Sequence, residues 1–368
     1  MDITEKVFDM HVHFTRSIPL KETIEIFKEE FAITGTEKYN FLSACHHAGH
    51  GPLEFQEAQN VKGLFLKKVV SPNAYAYAHL EHPLDVADRP DDELATSYLK
   101  QAKEYYAAGY DGMKMLEGYP SMLKAMKRKF SDPVYDPYYS FLEEKGIPIT
   151  MHIANPETFW DITKVDAWSL KAGRYCDETF PTKAQIHQQV DEVLQKHPRL
   201  RLVLAHFGFM SYDINQAKRF LDDYENTMFD LTPGGEQLLK MRETWDKEWH
   251  EFFVKYQDRI IYGTDFYAFS KAQGEEAWKT AFWRRPRFVR QFFETNEDHL
   301  YGERPFRGVK IEKSILDKIY RENAVAFLGE PRKIDLDYLA KKAEERLKMP
   351  NKKEAFADED LQYILNNL

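Results

Sequence analysis

Two cysteines in 368 residues, Cys45 and Cys176, are too few for a disulfide framework. No run of 18 apolar residues is present to cross a membrane. The N-terminus lacks the basic start and apolar stretch of a secretory signal. Positive charge is in deficit: 51 Lys and Arg against 60 Asp and Glu leave a net charge of −9. That balance argues against nucleic acid, whose phosphates call for basic stripes. Short runs such as Lys67-Lys68 and Lys127-Arg128-Lys129 read as solvated ends of elements. Internal repeats, low-complexity tracts and a second catalytic domain are missing too. A cytoplasmic protein with a small-molecule substrate, and neither membrane nor nucleic acid as partner, is the expectation.

What is present organises around Phe8-Asp9-Met10-His11-Val12-His13-Phe14. On a regular strand Asp9, His11 and His13 share one face, and Phe8, Met10, Val12 and Phe14 the other. Two imidazoles at that spacing can reach one cation, and neutral imidazole suits zinc-like metals. A pair of buried histidines bonded to backbone is the alternative.

Seven further segments read as buried strands: 39–45, 63–70, 112–116, 148–153, 200–206, 227–231 and 259–262. Helix-like stretches lie between them, including 92–108, 184–196 and 214–224. Gly109, Gly146 and Pro198 stand where helices should stop. Eightfold alternation predicts a closed α/β barrel, the (β/α)8 TIM barrel. A doubly wound open sheet competes, but no glycine-rich turn after the first strand supports its nucleotide-binding form.

Long connections follow strands five and eight. The first, 155–181, carries Trp160, Asp166, Trp168, Arg174 and Asp177; the second, about 266–307, carries Trp278, Trp283, Arg284, Arg285 and Arg287. Loops of that length are functional or disordered, and their tryptophans and arginines favour function. The barrel is expected over residues 1–329. Residues 330–368 should form a C-terminal helical extension that braces it or a second copy in a homo-oligomer.

His152 and His206 fall at or near the ends of strands five and six, and Asp265 follows strand eight. Strands one and eight become neighbours on closure, which sets Asp265 beside His11 and His13, with His152 approaching from the opposite wall. Asp9, one step deeper, reads as a support behind the ligands or a residue of the barrel floor, and Asp230 as a wall candidate.

These residues resemble the amidohydrolase superfamily, specifically the amidohydrolase-related group of metal-dependent hydrolases and non-oxidative decarboxylases. The resemblance rests on Asp9-Met10-His11-Val12-His13, the 146–152 segment ending in His152, and 197–208 around His206. Asp230, 258–265 ending in Asp265, and 322–329 extend it over about residues 7–329. It implies His11, His13, His152 and Asp265 as ligands of one divalent ion, zinc first and manganese next. Asp265 would also carry a proton, and His206 would hydrogen-bond the metal's water or the substrate.

Such an ion makes bound water nucleophilic and polarises a carbonyl. Two-metal members of the superfamily add a bridging carboxylate, often a carboxylated lysine. Lys114 is placed for that role, but the one-metal group has a lysine nearby that serves the interior or the substrate, and Lys114 is read that way.

His46 and His47, in Cys45-His46-His47-Ala48-Gly49-His50, are too close together to wrap one ion and read as pocket lining. Trp160, Arg174, Arg284 and Arg285 complete the expected substrate contacts, the arginines suiting an anionic group. His79 and His82 share the ambiguity of His46. The leading reading is a hydrolase attacking an amide, lactone or ester of a small carboxylated substrate. A decarboxylase using the same site is the alternative, and a non-catalytic metal-binding barrel the third.

Overall fold

Parallel strands need a crossover between each pair, and a helix in every crossover covers the outer face of the sheet. The computed structural model describes residues 6–14, 17–47, 52–171, 173–233, 237–267, 275–350 and 352–368. Its strands are β1 (Val7–His13), β2 (Thr36–Leu42), β3 (Ala74–His79), β4 (Gly112–Gly118), β5 (Ile149–Ile153), β6 (Leu202–Leu204) and β7 (Thr227–Asp230). The eighth, β8, comes in two pieces, Ile260–Ile261 and Phe266–Tyr267. Each strand pairs in parallel with the next in chain order. The second piece of β8 pairs with β1, Val12 opposite Phe266 and His13 opposite Tyr267. The sheet therefore closes on itself, and the predicted barrel is the fold.

The helices α1 (Leu20–Thr34), α2 (Gln59–Val69), α3 (Asp91–Ala108), α4 (Asp136–Lys145), α5 (Lys183–Lys196) and α6 (Ile214–Asp223) fill the first crossovers. Gly109 and Gly146 end α3 and α4 in the left-handed region, at the predicted stops. Helix α5 opens on a capping box between Thr182 and Gln185.

One predicted strand is wrong. Residues 63–70 lie in α2, and the third strand is Ala74–His79. Helix α2 is buried from Gln59 to Lys67, so it shows no polar face and no helical period. A short apolar run of that kind reads equally as strand or helix.

Covering α2 are two C-terminal helices, α8 (Leu336–Leu347) and α9 (Ala357–Asn366). Lys62 on α2 reaches Glu354 Oε1 at 2.9 Å and Asp360 Oδ2 at 2.7 Å, all three side chains being buried. Glu354 also accepts from the Ala58 amide and Gln59, and Asp360 from the Leu20 amide. The connection after β8 is itself structured, as α7 (Glu275–Glu294) and a hairpin of Asp298–Tyr301 with Arg304–Arg307. The side chains of Trp168, Trp278 and Trp283, and residues 48–50, lie outside what is described. Among the described residues no helix is long and apolar enough to cross a membrane.

The first strand departs from simple alternation. Its pairing with β2 shifts register between Val7 and Phe8, and again between Asp9 and Val12. Phe8 and Met10 pack inside the barrel with Tyr75, Val203, Met228 and Ile261, against the Asn323–Leu328 helix. Val7, Val12 and Phe14 join the larger core with the outer helices. Asp9 is no ligand but a support behind the ligands: it accepts from the His11 amide and from the Thr264 amide and hydroxyl, and feels Glu30 on α1. An irregularity of this kind re-aims side chains, and here it sends His11 and His13 to the mouth.

Replacing Lys62 by methionine strands two buried carboxylates, which should cost about 3–5 kcal/mol. Equilibrium urea unfolding of Lys62→Met against wild type measures that loss; an unchanged midpoint would contradict it.

Candidate metal centre

A carbonyl can only accept a hydrogen bond, so a ring nitrogen facing one must carry a proton. His13 Nδ1 sits 2.8 Å from the Leu42 carbonyl and is therefore an N–H. His11 Nδ1 lies 2.7 Å from Asp230 Oδ2 and donates to that carboxylate. Both rings are left with a lone pair on Nε2, and the two Nε2 atoms are 3.1 Å apart. Asp265 Oδ1 stands 3.7 Å from one and 3.6 Å from the other. Three acceptors converge there. Among the described residues His11, His13 and Asp265 form the only group whose ligand atoms all lie within 4.8 Å of one another.

Asp265 is brought in by backbone as well as side chain. Its amide donates to the His11 carbonyl at 2.9 Å, and its φ of 54° lies in the strained left-handed region. Gly263 lets this segment approach, because a Cβ there would stand 3.0 Å from the His11 Cβ and from the Thr232 methyl. Arg285 on α7 holds Asp265 Oδ2 at 2.6 Å and also contacts the Asp265 carbonyl.

His206 follows β6 at φ 55°, the first of four consecutive residues in the left-handed region. Its amide donates to Asp230 Oδ1 at 2.7 Å and to Thr232 Oγ1 at 2.9 Å. Thr232 spends its hydroxyl proton on Asp230, so His206 Nδ1, 2.9 Å away, donates to it. That leaves a lone pair on His206 Nε2, 3.1 Å from His152 Nδ1. His152 Nε2 faces the Ala154 carbonyl at 3.2 Å, so its Nδ1 is a lone pair too. His152 is thus not brought into the His11–His13–Asp265 group; its ring packs on His206 at 4.7 Å, as His11 does at 5.3 Å. Asp230 serves both His11 and His206, which makes it more than pocket wall.

Burial sets the electrostatics. It holds His11, His13 and His206 well below the ordinary imidazole value, assisted at each by Lys114, and His152 at about 3. It lifts Asp230 to about 6 and raises Asp265, whose rise Arg285 and Lys114 oppose. Lys114 is brought down to about 8, and its Nζ stands 3.3 Å from His11 Nε2. Neutral rings with one N–H committed to an oxygen are the form a metal takes. The donor set fits a divalent cation.

The other predicted contacts scatter. Arg174 is exposed but acts electrostatically on His152, Tyr119 and Tyr267, which places it over the mouth. Arg284 lies over the Tyr301 ring on the hairpin, 4.9 Å from its centre. Trp160 donates to the Pro181 carbonyl. His46 is buried against His79 and His82, while His47 is exposed. Missed in the sequence were Thr232, which orients His206, and Tyr267, stacked 5.0 Å from His13. The Asp230-Leu231-Thr232 spacing was the one available signal for the first.

The sequence profile of the family described as Amidohydrolase matches residues 8–329. The chain belongs to that family. No curated protein matches this amidohydrolase sequence. Among solved structures, 2,6-dihydroxybenzoate decarboxylase from Rhizobium is similar at TM-score 0.54 and 14% identity, over 88% of this chain and 99% of that one. The 4-oxalomesaconate hydratase of Rhodopseudomonas palustris gives 0.53 and 14%, over 93% and 100%. A dihydroxybenzoic acid decarboxylase from Polaromonas, with bound manganese and the inhibitor 2-nitroresorcinol, gives 0.53 and 14%, over 94% and 100%. These likenesses show the shared barrel.

Imidazoles that are already neutral have no proton to give up to a metal. Zinc titrated calorimetrically at pH 6, in buffers of different ionisation enthalpy, should release fewer than about one proton per ion. Release of two, as ordinary imidazoles near 6.5 would approach, would contradict the assignment.

Proposed function

We propose that this amidohydrolase-family chain is a one-metal hydrolase acting on an amide, lactone or ester of a small substrate that carries a carboxylate. The observation that carries the reading is the meeting of two imidazole lone pairs and a carboxylate oxygen, none of which brings a proton to the others. His11, His13 and Asp265 would hold the ion, with His152 turning from His206 to join them, zinc first and manganese next, since mixed imidazole and carboxylate sites accept both. Bound there, the ion supplies Lewis-acid polarisation of the carbonyl and acidifies water.

The chain's own residues do the rest. Asp265 moves the proton from nucleophile to leaving group, its position kept by Arg285. His206, its tautomer fixed through Thr232, offers Nε2 as an acceptor to the reacting water or substrate. Arg285 and Arg174 present guanidinium groups to the substrate carboxylate. The catalytic unit is residues 1–329 and the 330–368 extension clamps it. A cytoplasmic setting agrees with the low cysteine count.

A second reading, decarboxylation of a planar unsaturated acid, is favoured by the rings around the histidines. Tyr267 stacks on His13, Tyr119 stands 5.0 Å from His152, and Phe209 lies 5.1 Å from His206. Decarboxylases among the similar barrels support it, one of them with bound manganese.

Zinc- or manganese-loaded protein, assayed in parallel for carbon dioxide release and for hydrolysis of carboxylated lactones, amides and esters, separates these readings. Hydrolysis without carbon dioxide release is expected. Asp265→Ala should lower turnover by about 10²–10⁴-fold, the usual worth of an acid–base group. Full metal occupancy with no turnover of either panel would leave a binding protein instead.

A further inference from the structure

Lys114 cannot keep its present partner once His11 is a ligand. Its Nζ donates to His11 Nε2, the lone pair that a cation must take, and Nδ1 of that ring is committed to Asp230. The lysine is fully buried, so its ammonium cannot turn to bulk water. Leaving it unpaired in such surroundings is costly. It needs a second station.

The wall beside it offers one made of acceptors. Glu117 lies on the same strand and is buried, and its Oε2 has no hydrogen-bond partner among the described residues. Three residues apart, Lys114 and Glu117 would face opposite sides of a regular strand. The pairing of β4 with β5 shifts register between Met115 and Gly118, however, and Lys114 feels the charge of Glu117 after that of Asp230 and Asp265, the first committed to His11 and the second a ligand. The other carboxylate oxygen is pinned: Glu117 Oε1 lies 2.7 Å from His82 Nε2, and His82 Nδ1 lies 2.8 Å from the Tyr98 hydroxyl. His79 pairs in register with Lys114 across β3 and β4. Its Nδ1 faces the Leu80 carbonyl at 2.6 Å and must be an N–H, so its Nε2 is a lone pair, buried and likewise without a partner. Two acceptors without a donor thus lie on the lysine's own strand and in register on the next, and the lysine is a three-donor group that must give up its bond.

We propose that Lys114 is a positioning residue with two stations: it covers the His11 lone pair until a divalent cation takes that lone pair, and then donates to Glu117 and His79. Glu117, held by His82 and Tyr98, is the counter-charge that draws the ammonium off the metal ligand. The inference rests on the one-metal reading above, and it assigns to Lys114 a role other than bridging a second ion or binding substrate. His46, packed against His79 and His82, then belongs to the wall of this second station.

Zinc affinity, measured by competition with a chelating dye on the full chain, tests it without an activity readout. Glu117→Gln removes the charge that receives the lysine and should weaken zinc by about 10-fold or more, the usual range for a residue just outside the ligands. Lys114→Met should bind zinc at least as tightly as wild type. The double variant should match Lys114→Met, because without the ammonium the glutamate has nothing to receive. Wild-type affinity in Glu117→Gln, or a double variant as weak as Glu117→Gln alone, overturns the proposal.

A zinc-loaded crystal structure of the unaltered chain is free of any folding defect in the variants. It should show Lys114 Nζ bonded to Glu117 Oε2 or His79 Nε2; an ammonium still on His11 overturns the proposal while leaving the metal reading intact. A wild-type chain that takes up no zinc or manganese overturns both.

Discussion

The hydrogen bond from His11 Nδ1 to Asp230 is the constraint from which the rest of the site follows. It commits one nitrogen of a fully buried ring and thereby fixes where the other lone pair lies. The Leu42 carbonyl does the same for His13. Asp230 takes a second load from the other side, accepting from the His206 amide and the Thr232 hydroxyl. One carboxylate at the end of β7 therefore sets rings on β1 and after β6. Such outer partners shape a metal's surroundings as much as the ligands do.

Burial and charge work against each other here, and the balance decides what the centre can hold. Desolvation alone would keep every group neutral. The imidazoles accept that outcome and offer lone pairs. Burial raises Asp265 as well, but Arg285 and Lys114 oppose that rise, so of the three acceptors it is the one whose charged form has cationic partners. Backbone strain at Asp265 and at His206 is held by their amides, which bond the His11 carbonyl and Asp230. The barrel contributes rigidity, and the candidate ligands sit at the ends of its strands.

Much of this was legible in the sequence, and what was not has physical causes. The eightfold alternation gave the barrel, and closure alone put Asp265 beside His11, because the last strand of a barrel must pair with the first. The third strand was misplaced because α2 is buried on all sides under the C-terminal helices, which erases its period. The true third strand, Ala74-Tyr75-Ala76-Tyr77-Ala78-His79, alternates small outward residues with large inward ones. The inward turn of Phe8 and Met10 could not be read from a sequence, since a register shift depends on the neighbouring strand. Thr232 and Glu117 escaped notice for a similar reason: each acts through a partner distant in the chain.

X-ray absorption at the zinc edge of loaded protein tests the central claim most directly, by reporting what surrounds the ion. Convergent Nε2 lone pairs predict at least two imidazole nitrogens at about 2.0–2.1 Å, with the remaining ligands being nitrogen or oxygen. A shell of oxygen alone, or one containing sulfur, would contradict the account.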